Sequence, residues 1–210
     1  MNARSMLRHG CAMIVCLTLA SAPTSAAAPA LEATQGLRAG LARSGRAEAM
    51  LSWSVPAPPG ALSETMQGAL ALEPPDLARL DVRGTGERIT LRGEGGEWSQ
   101  PAMKQFIRLT PRHSVAAMRW WRLLVSGTGA SELRLAARRY RLTIAGTPQA
   151  AADSADVWLD ARGLPSRLEL ADGMGGKQIY RLAAWRFSKP KGAAAFRLTP
   201  PPGVEVVEMP

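Results

Sequence analysis

The chain has 210 residues, 46% of them hydrophobic, and carries 26 Lys and Arg against 17 Asp and Glu, for a formal net charge of +9. Set apart from an N-terminal export signal, that length fits one domain able to bury a sizeable core. Two cysteines and two histidines in the whole chain leave little material for a disulfide framework, a cysteine metal site or histidine-centred catalysis.

The N-terminus carries Arg4, Arg8 and His9 and no acid. An apolar run from Cys11 to Ala22 follows, and then Ser25-Ala26-Ala27-Ala28. A charged start, a short apolar core and a small-residue cleavage site predict a secretory signal over residues 1–28, leaving 29–210 as a single domain. The core is shorter than the roughly 20 residues of a transmembrane helix; a retained signal anchor is the alternative if cleavage fails. Cys11 and Cys16 both lie in the signal. Val15 precedes Cys16, where a lipidation site wants a small residue, so a soluble, cysteine-free mature protein is expected. Positive charge raises nucleic acid as a partner. Export argues against it, and so does the alternation of Arg79, Arg83, Arg88 and Arg92 with apolar residues, the pattern of the solvent face of a half-buried sheet. The sharper reading of the same charge is attraction to anionic lipid head groups or acidic partner surfaces.

Ala30 to Arg46 reads as a helix, with Leu37 and Leu41 on one side and Gly36, Gly40 and Gly45 each weakening it by up to about 1 kcal/mol. The period then switches to two. Leu51, Trp53 and Val55 make one stripe, which Pro56-Ala57-Pro58-Pro59-Gly60 breaks. Met66, Gly68, Leu70 and Leu72 make a second, Leu80 and Val82 a third, and Ile89 and Leu91 a fourth. Gly93-Glu94-Gly95-Gly96 reads as a hairpin turn, Trp98 as the start of a short strand stopped by Pro101, and Met103 to Leu109 as another. After Pro111, Ser114 to Val125 is an amphipathic helix with Ala117, Met118, Trp121, Leu124 and Val125 on one side. Trp120 is expected at its edge. Glu132 to Ala145 is a long strand or a strand pair, with a parity switch near Arg138-Arg139 that suggests a bulge or bend. Thr147 to Ser154 reads as a loop. The C-terminal strands follow, punctuated by Gly163-Leu164-Pro165, Gly175-Gly176 and Pro202-Gly203. Short strands at this spacing argue for a sandwich or barrel-like sheet.

No catalytic constellation stands out. His113, the one histidine outside the signal, sits near a helix start, and no G-x-S-x-G, H-E-x-x-H or P-loop is present. Glu94 and Glu97 fall in a turn, where solvation is the default. No cofactor and no metal are expected, and no enzymatic activity. Trp53, Trp98, Trp120, Trp121, Trp158 and Trp185 are core residues on the plain reading. The other reading is a sheet that closes part-way with a helix across its mouth, leaving an apolar cavity.

Several blocks in order resemble the LolA family of periplasmic carriers of outer-membrane lipoproteins. These are the N-terminal helix with the Trp53 strand, Gly68 to Val82 with its Pro74-Pro75 turn, Gly93 to Pro101, the Leu164-Pro165 turn, and Phe196 to Val207. The resemblance implies a mainly β fold with helices, an incomplete antiparallel β-barrel covered by a helical lid. It implies a periplasmic monomer that takes an acylated lipoprotein or other lipid cargo from an inner-membrane ABC lipoprotein-release transporter to an outer-membrane receptor. The cavity would be walled by Trp53, Leu70, Leu72, Leu80, Ile89 and Leu91, and the lid formed by Met118, Trp121, Leu124 and Val125. One departure is Glu73-Pro74-Pro75, where the family carries a basic residue before the turn proline and uses it in lid closure. A lipid-sensing or assembly-factor module of the same fold is the alternative to a carrier.

Overall fold

The computed structural model describes residues 30–54, 65–145, 153–171 and 177–208, without the side chains of 112–118, 171 and 177. The signal, the Pro56 to Gly60 break, residues 147–152 of the loop expected from Thr147 to Ser154 and the Gly175-Gly176 turn lie outside the described residues; Asp153 and Ser154, expected in that loop, already belong to a strand.

A 3₁₀ turn, Glu32–Thr34, leads into helix α1, Gln35–Ser44. Glu132 ties this start down: its carboxylate accepts the amides of Glu32 at 2.6 Å and Ala33 at 3.1 Å, two of the donors that a helix start leaves without intrahelical partners. Gly45, at φ 85°, closes the helix in the left-handed conformation that glycine tolerates best. The helix therefore ends two residues before the expected Arg46, which is already in strand β1, Arg46–Ser54.

Four hairpin-linked strands follow: β2, Thr65–Glu73; β3, Leu77–Val82; β4, Arg88–Arg92; and β5, Gly95–Gln100. A 3₁₀ turn at Pro101–Met103, left through Lys104 at φ 51°, delays strand β6 to Gln105–Leu109, so the expected start at Met103 is corrected by two residues. Helix α2 spans Pro111–Ser126, and Gly127 caps it at φ 68°. The segment from Glu132 is a hairpin and not one bulged strand: β7, Ser131–Ala136, turns at Ala137-Arg138 into β8, Arg139–Ile144. The parity switch near Arg138 is that turn. Strands β9, Asp153–Leu159; β10, Pro165–Ala171; and β11, Lys177–Ser188, complete the meander. A 3₁₀ turn at Ala193–Phe196 and the short β12, Glu205–Glu208, end the chain.

All strands join one open sheet in the order β12-β6-β5-β4-β3-β2-β1-β11-β10-β9-β8-β7. Among the described residues the sheet is not closed into a barrel, and every pairing is antiparallel except β12 alongside β6. The architecture is mainly β with two helices packed on one face, the arrangement of an incomplete barrel. Cross-strand register sets that inner face: Leu51 pairs with Gly68, Ala49 with Leu70, Leu70 with Leu80, Ala78 with Leu91, and Tyr140 with Val157. Leu37 and Leu41 of α1 and Leu123 and Leu124 of α2 meet these residues in one core. Alternation in the strands and a 3.6-residue stripe in the helices thus bury the same side of the molecule.

The outer face is not the plain solvent face that the arginine pattern suggested. The segment from Lys191 to Leu198 crosses it as a strap. Arg79 reaches the Ala195 carbonyl, and Glu97 accepts the Leu198 amide at 3.4 Å. Glu97 also accepts from Thr90 and pairs with Arg92, so its side chain is largely buried and not solvated in a turn. Phe196, fully buried, anchors the strap and lies 5.4 Å from the Arg46 guanidinium.

Candidate apolar cavity

The inner face leaves a cavity of about 200 Å³ lined by Leu70 of β2, Ala78 and Leu80 of β3, Ile89 and Leu91 of β4, Trp121 of α2 and Tyr180 of β11. Their convergence follows from register. Leu70 pairs with Leu80, Leu80 with Ile89 and Ala78 with Leu91, so five apolar side chains stand side by side across three strands. Tyr180 enters from across β1, where it pairs with Trp53. Trp121 approaches Tyr180 edge-on, with ring centroids 5.9 Å apart and planes at 85°, a geometry worth about 0.5–1.5 kcal/mol beyond area burial.

Leu70 and Leu91 are buried and form the floor, whereas Leu80, Ile89, Trp121 and Tyr180 are half-buried. Burial pushes the Tyr180 hydroxyl up from its ordinary pKa, which keeps it neutral, and it donates to Gln178 Oε1 at 2.7 Å. The side chains of the lining are thus uncharged apart from Arg79, whose guanidinium is turned to the outer face, onto Asp81 and the Ala195 carbonyl. Among the described residues no group of three or more His, Cys, Asp or Glu is placed to hold a metal ion, and no helix is long and apolar enough to cross a membrane.

The expected wall and lid residues are only partly brought together. Leu70, Leu80, Ile89, Leu91 and Trp121 line the cavity. Leu72 is fully buried in the core, and Trp53 packs half-buried against it farther along β1. Leu124 and Val125 are buried and fix the C-terminal end of α2 in the core, Leu124 completely. Trp120, expected at the edge, is half-buried against the core. Met118 lies on α2, but its side chain is outside the described residues, as is that of His113. Sequence reasoning missed Ala78 and Tyr180. The alternation of Tyr180 with Leu182 carried a signal for the tyrosine, whereas an alanine is too small to mark a wall.

No family model matches the chain, and no curated protein matches it in sequence. Similar solved structures include an uncharacterized conserved protein from Thermus thermophilus, 14% identical, covering 85% of this chain and 98% of its own, at a TM-score of 0.48. A putative outer membrane lipoprotein-sorting protein domain from Vibrio parahaemolyticus is 13% identical, covering 78% and 95%, at 0.45. A LolA superfamily protein from Nitrosomonas europaea is 9% identical, covering 81% of this chain and 99% of its own, at 0.44.

Proposed function

We propose that this chain is an exported, non-enzymatic lipid-binding protein that shields acyl chains in the cavity between α2 and strands β2–β4, and that it ferries lipoproteins from the inner to the outer membrane. The observation that carries this reading is the wall: Leu70, Leu80, Ile89 and Leu91 face Trp121 and Tyr180 around unfilled space instead of closing on one another. Leu80, Ile89, Trp121 and Tyr180 stay half-buried there, so the hollow keeps apolar surface in contact with water at a cost. An acyl chain repays it at about 0.8 kcal/mol per buried CH₂. In this reading the partners are an acylated cargo, a releasing transporter in the inner membrane and a receptor in the outer membrane, and the protein works in the periplasm as a monomer.

The alternative, a lipid-sensing or assembly-factor module, is favoured by one observation. Glu73, at the position where the family's basic residue serves lid closure, turns to the outer face and binds the strap. Among the described residues, none of its hydrogen bonds or ion pairs reaches α2.

A fluorescent fatty-acyl probe should bind the signal-free protein with at least about micromolar affinity, the level of roughly 8 kcal/mol. Leu80→Glu, on the half-buried part of the wall, should weaken it far more than Arg88→Gln on the exposed outer face. Equal loss in the two variants, with circular dichroism unchanged, rejects the cavity. Transfer of bound probe between inner- and outer-membrane vesicles then separates a carrier from a sensor, which would hold its ligand.

A further inference from the structure

The outer face carries a second hollow, of about 480 Å³, between the sheet and the strap. Its floor is small because three neighbouring strands bring small residues there: Ala69 and Ala71 of β2 pair with Met50 and Glu48 of β1, and β1 pairs in turn with the Ala183-to-Arg186 stretch of β11. The ladder slips at that point, between Glu48 and Met50, and Ala184 sits at φ 53°. An alanine held in left-handed backbone is strained, and such strain collects at binding sites. Met50 lies open on this floor, 43% exposed.

The rim is basic. Arg46 is neutralised by Glu48 and Glu73, and Arg79 by Asp81. Arg83, Arg186 and Lys191 also line the hollow, and among the described residues none of the three has an ion-pair partner. Three unpaired cations around an alkyl floor select a ligand with an anionic head and an apolar body. Two of the three are arginines, whose planar fork suits the paired oxygens of a phosphate. The volume lies within the roughly 300–1,000 Å³ of small-molecule pockets.

We propose that this hollow binds the phosphodiester head group of an anionic phospholipid, with the glycerol and first methylenes resting on Met50 and the alanines. Arg83 and Arg186 clamp the phosphate, and Lys191, on the strap, closes over it. The site is separate from the inner cavity, and the sheet stands between them.

Calorimetry on the signal-free protein tests this with three soluble probes: monomeric dihexanoyl phosphatidylglycerol, dihexanoyl phosphatidylcholine and inorganic phosphate. The phosphatidylglycerol should bind, more weakly as salt is raised. The double variant Arg83→Gln/Arg186→Gln should lose about tenfold or more, the scale of one charge-assisted hydrogen bond. Ala69→Phe, which fills the floor without changing charge, should lose as much. Both variants should keep wild-type binding of the fluorescent acyl probe, whose failure would concern the inner cavity alone. Unchanged phosphatidylglycerol binding in both variants overturns the site. Equal binding of phosphatidylcholine overturns the reading of charge, and inorganic phosphate binding as tightly as the lipid overturns the reading of the alkyl floor.

Discussion

Glu73 shows how one buried acid organises the outer face. Only 3% exposed, its carboxylate accepts from Arg46 at 2.6 Å, the Lys191 amide at 2.8 Å and the Gly192 amide at 3.0 Å. Burial pushes its pKa up, but the Lys191 amide, the Arg46 guanidinium and the Gly192 amide outweigh that and hold it below the ordinary value. A depressed folded pKa means that its contribution to stability is present above the unfolded value of about 4.3 and is lost as pH falls through the folded one. Glu73→Gln should therefore cost about 3 kcal/mol near neutrality, the low end for a broken buried pair because Glu48 still serves Arg46. The gap in melting temperature between wild type and variant should shrink as the pH drops below about 4. A gap that stays constant down to about pH 3 would show that Glu73 acts through shape rather than charge. None of this was legible in the sequence, where Glu73 and Glu97 look like any acids beside a turn. Their partners, Lys191 and Leu198, lie about a hundred residues away.

At the scale of elements, periodicity carried most of the information, and its failures have local causes. The period-two stripes placed β2 to β4 and their inner faces, because a one-residue slip would turn every leucine outward. The glycines of α1 were the puzzle, since they oppose helix formation. The structure supplies their reason. A Cβ on Gly36 would overlap the carbonyl oxygen of Gly163, and one on Gly40 would enter the Phe187 ring. The helix lies this close to the loop before β10 and to strand β11 only because both positions lack side chains. Gly36→Ala should thus destabilise the protein by about 1–3 kcal/mol, as overpacking does, although alanine favours a helix by about 1 kcal/mol. Urea unfolding checks the sign. A stabilised variant would mean that α1 can lift from the Gly163 backbone at little cost. The hairpin at Ala137-Arg138 left one strand and a strand pair undecided for the opposite reason: it has no Gly, Pro, Asn or Asp to announce it.

For the whole molecule, hairpin order was readable from strand spacing, but the joining of β1 to β11 was not. That pairing depends on closing a loop of more than a hundred residues, and no local signal records it. The parallel docking of β12 on β6, which covers that sheet edge, is likewise a long-range event. The resulting molecule has a cavity of about 200 Å³, below the roughly 300–1,000 Å³ of ordinary ligand pockets, so a full acyl chain requires the cavity to grow. We propose that the wall that moves is α2. Its C-terminal end is fixed by Leu123, Leu124 and Val125, whereas farther up the helix it is held by polar ties: Arg119 pairs with Asp153 of β9, and Arg122 reaches the Gly93 carbonyl at 3.3 Å. The two ties span opposite halves of the open sheet and latch the helix across it. Removing every other tryptophan to watch Trp121 would damage the core, because Trp185 is buried and donates to the Pro165 carbonyl at 2.7 Å. Fluorotryptophan labelling with ¹⁹F NMR follows Trp121 in the intact protein. Oleate should shift the Trp121 resonance and change its broadening by a soluble paramagnet, with Trp185 unmoved. Arg119→Ala should tighten oleate binding, since it weakens the closed state that competes with the bound one. A half-exposed ion pair is worth about 0.2–1 kcal/mol, so the gain should not exceed about fivefold. If oleate binds while Trp121 stays still and Arg119→Ala leaves affinity unchanged, α2 is a fixed wall and the cavity accepts only the end of a chain.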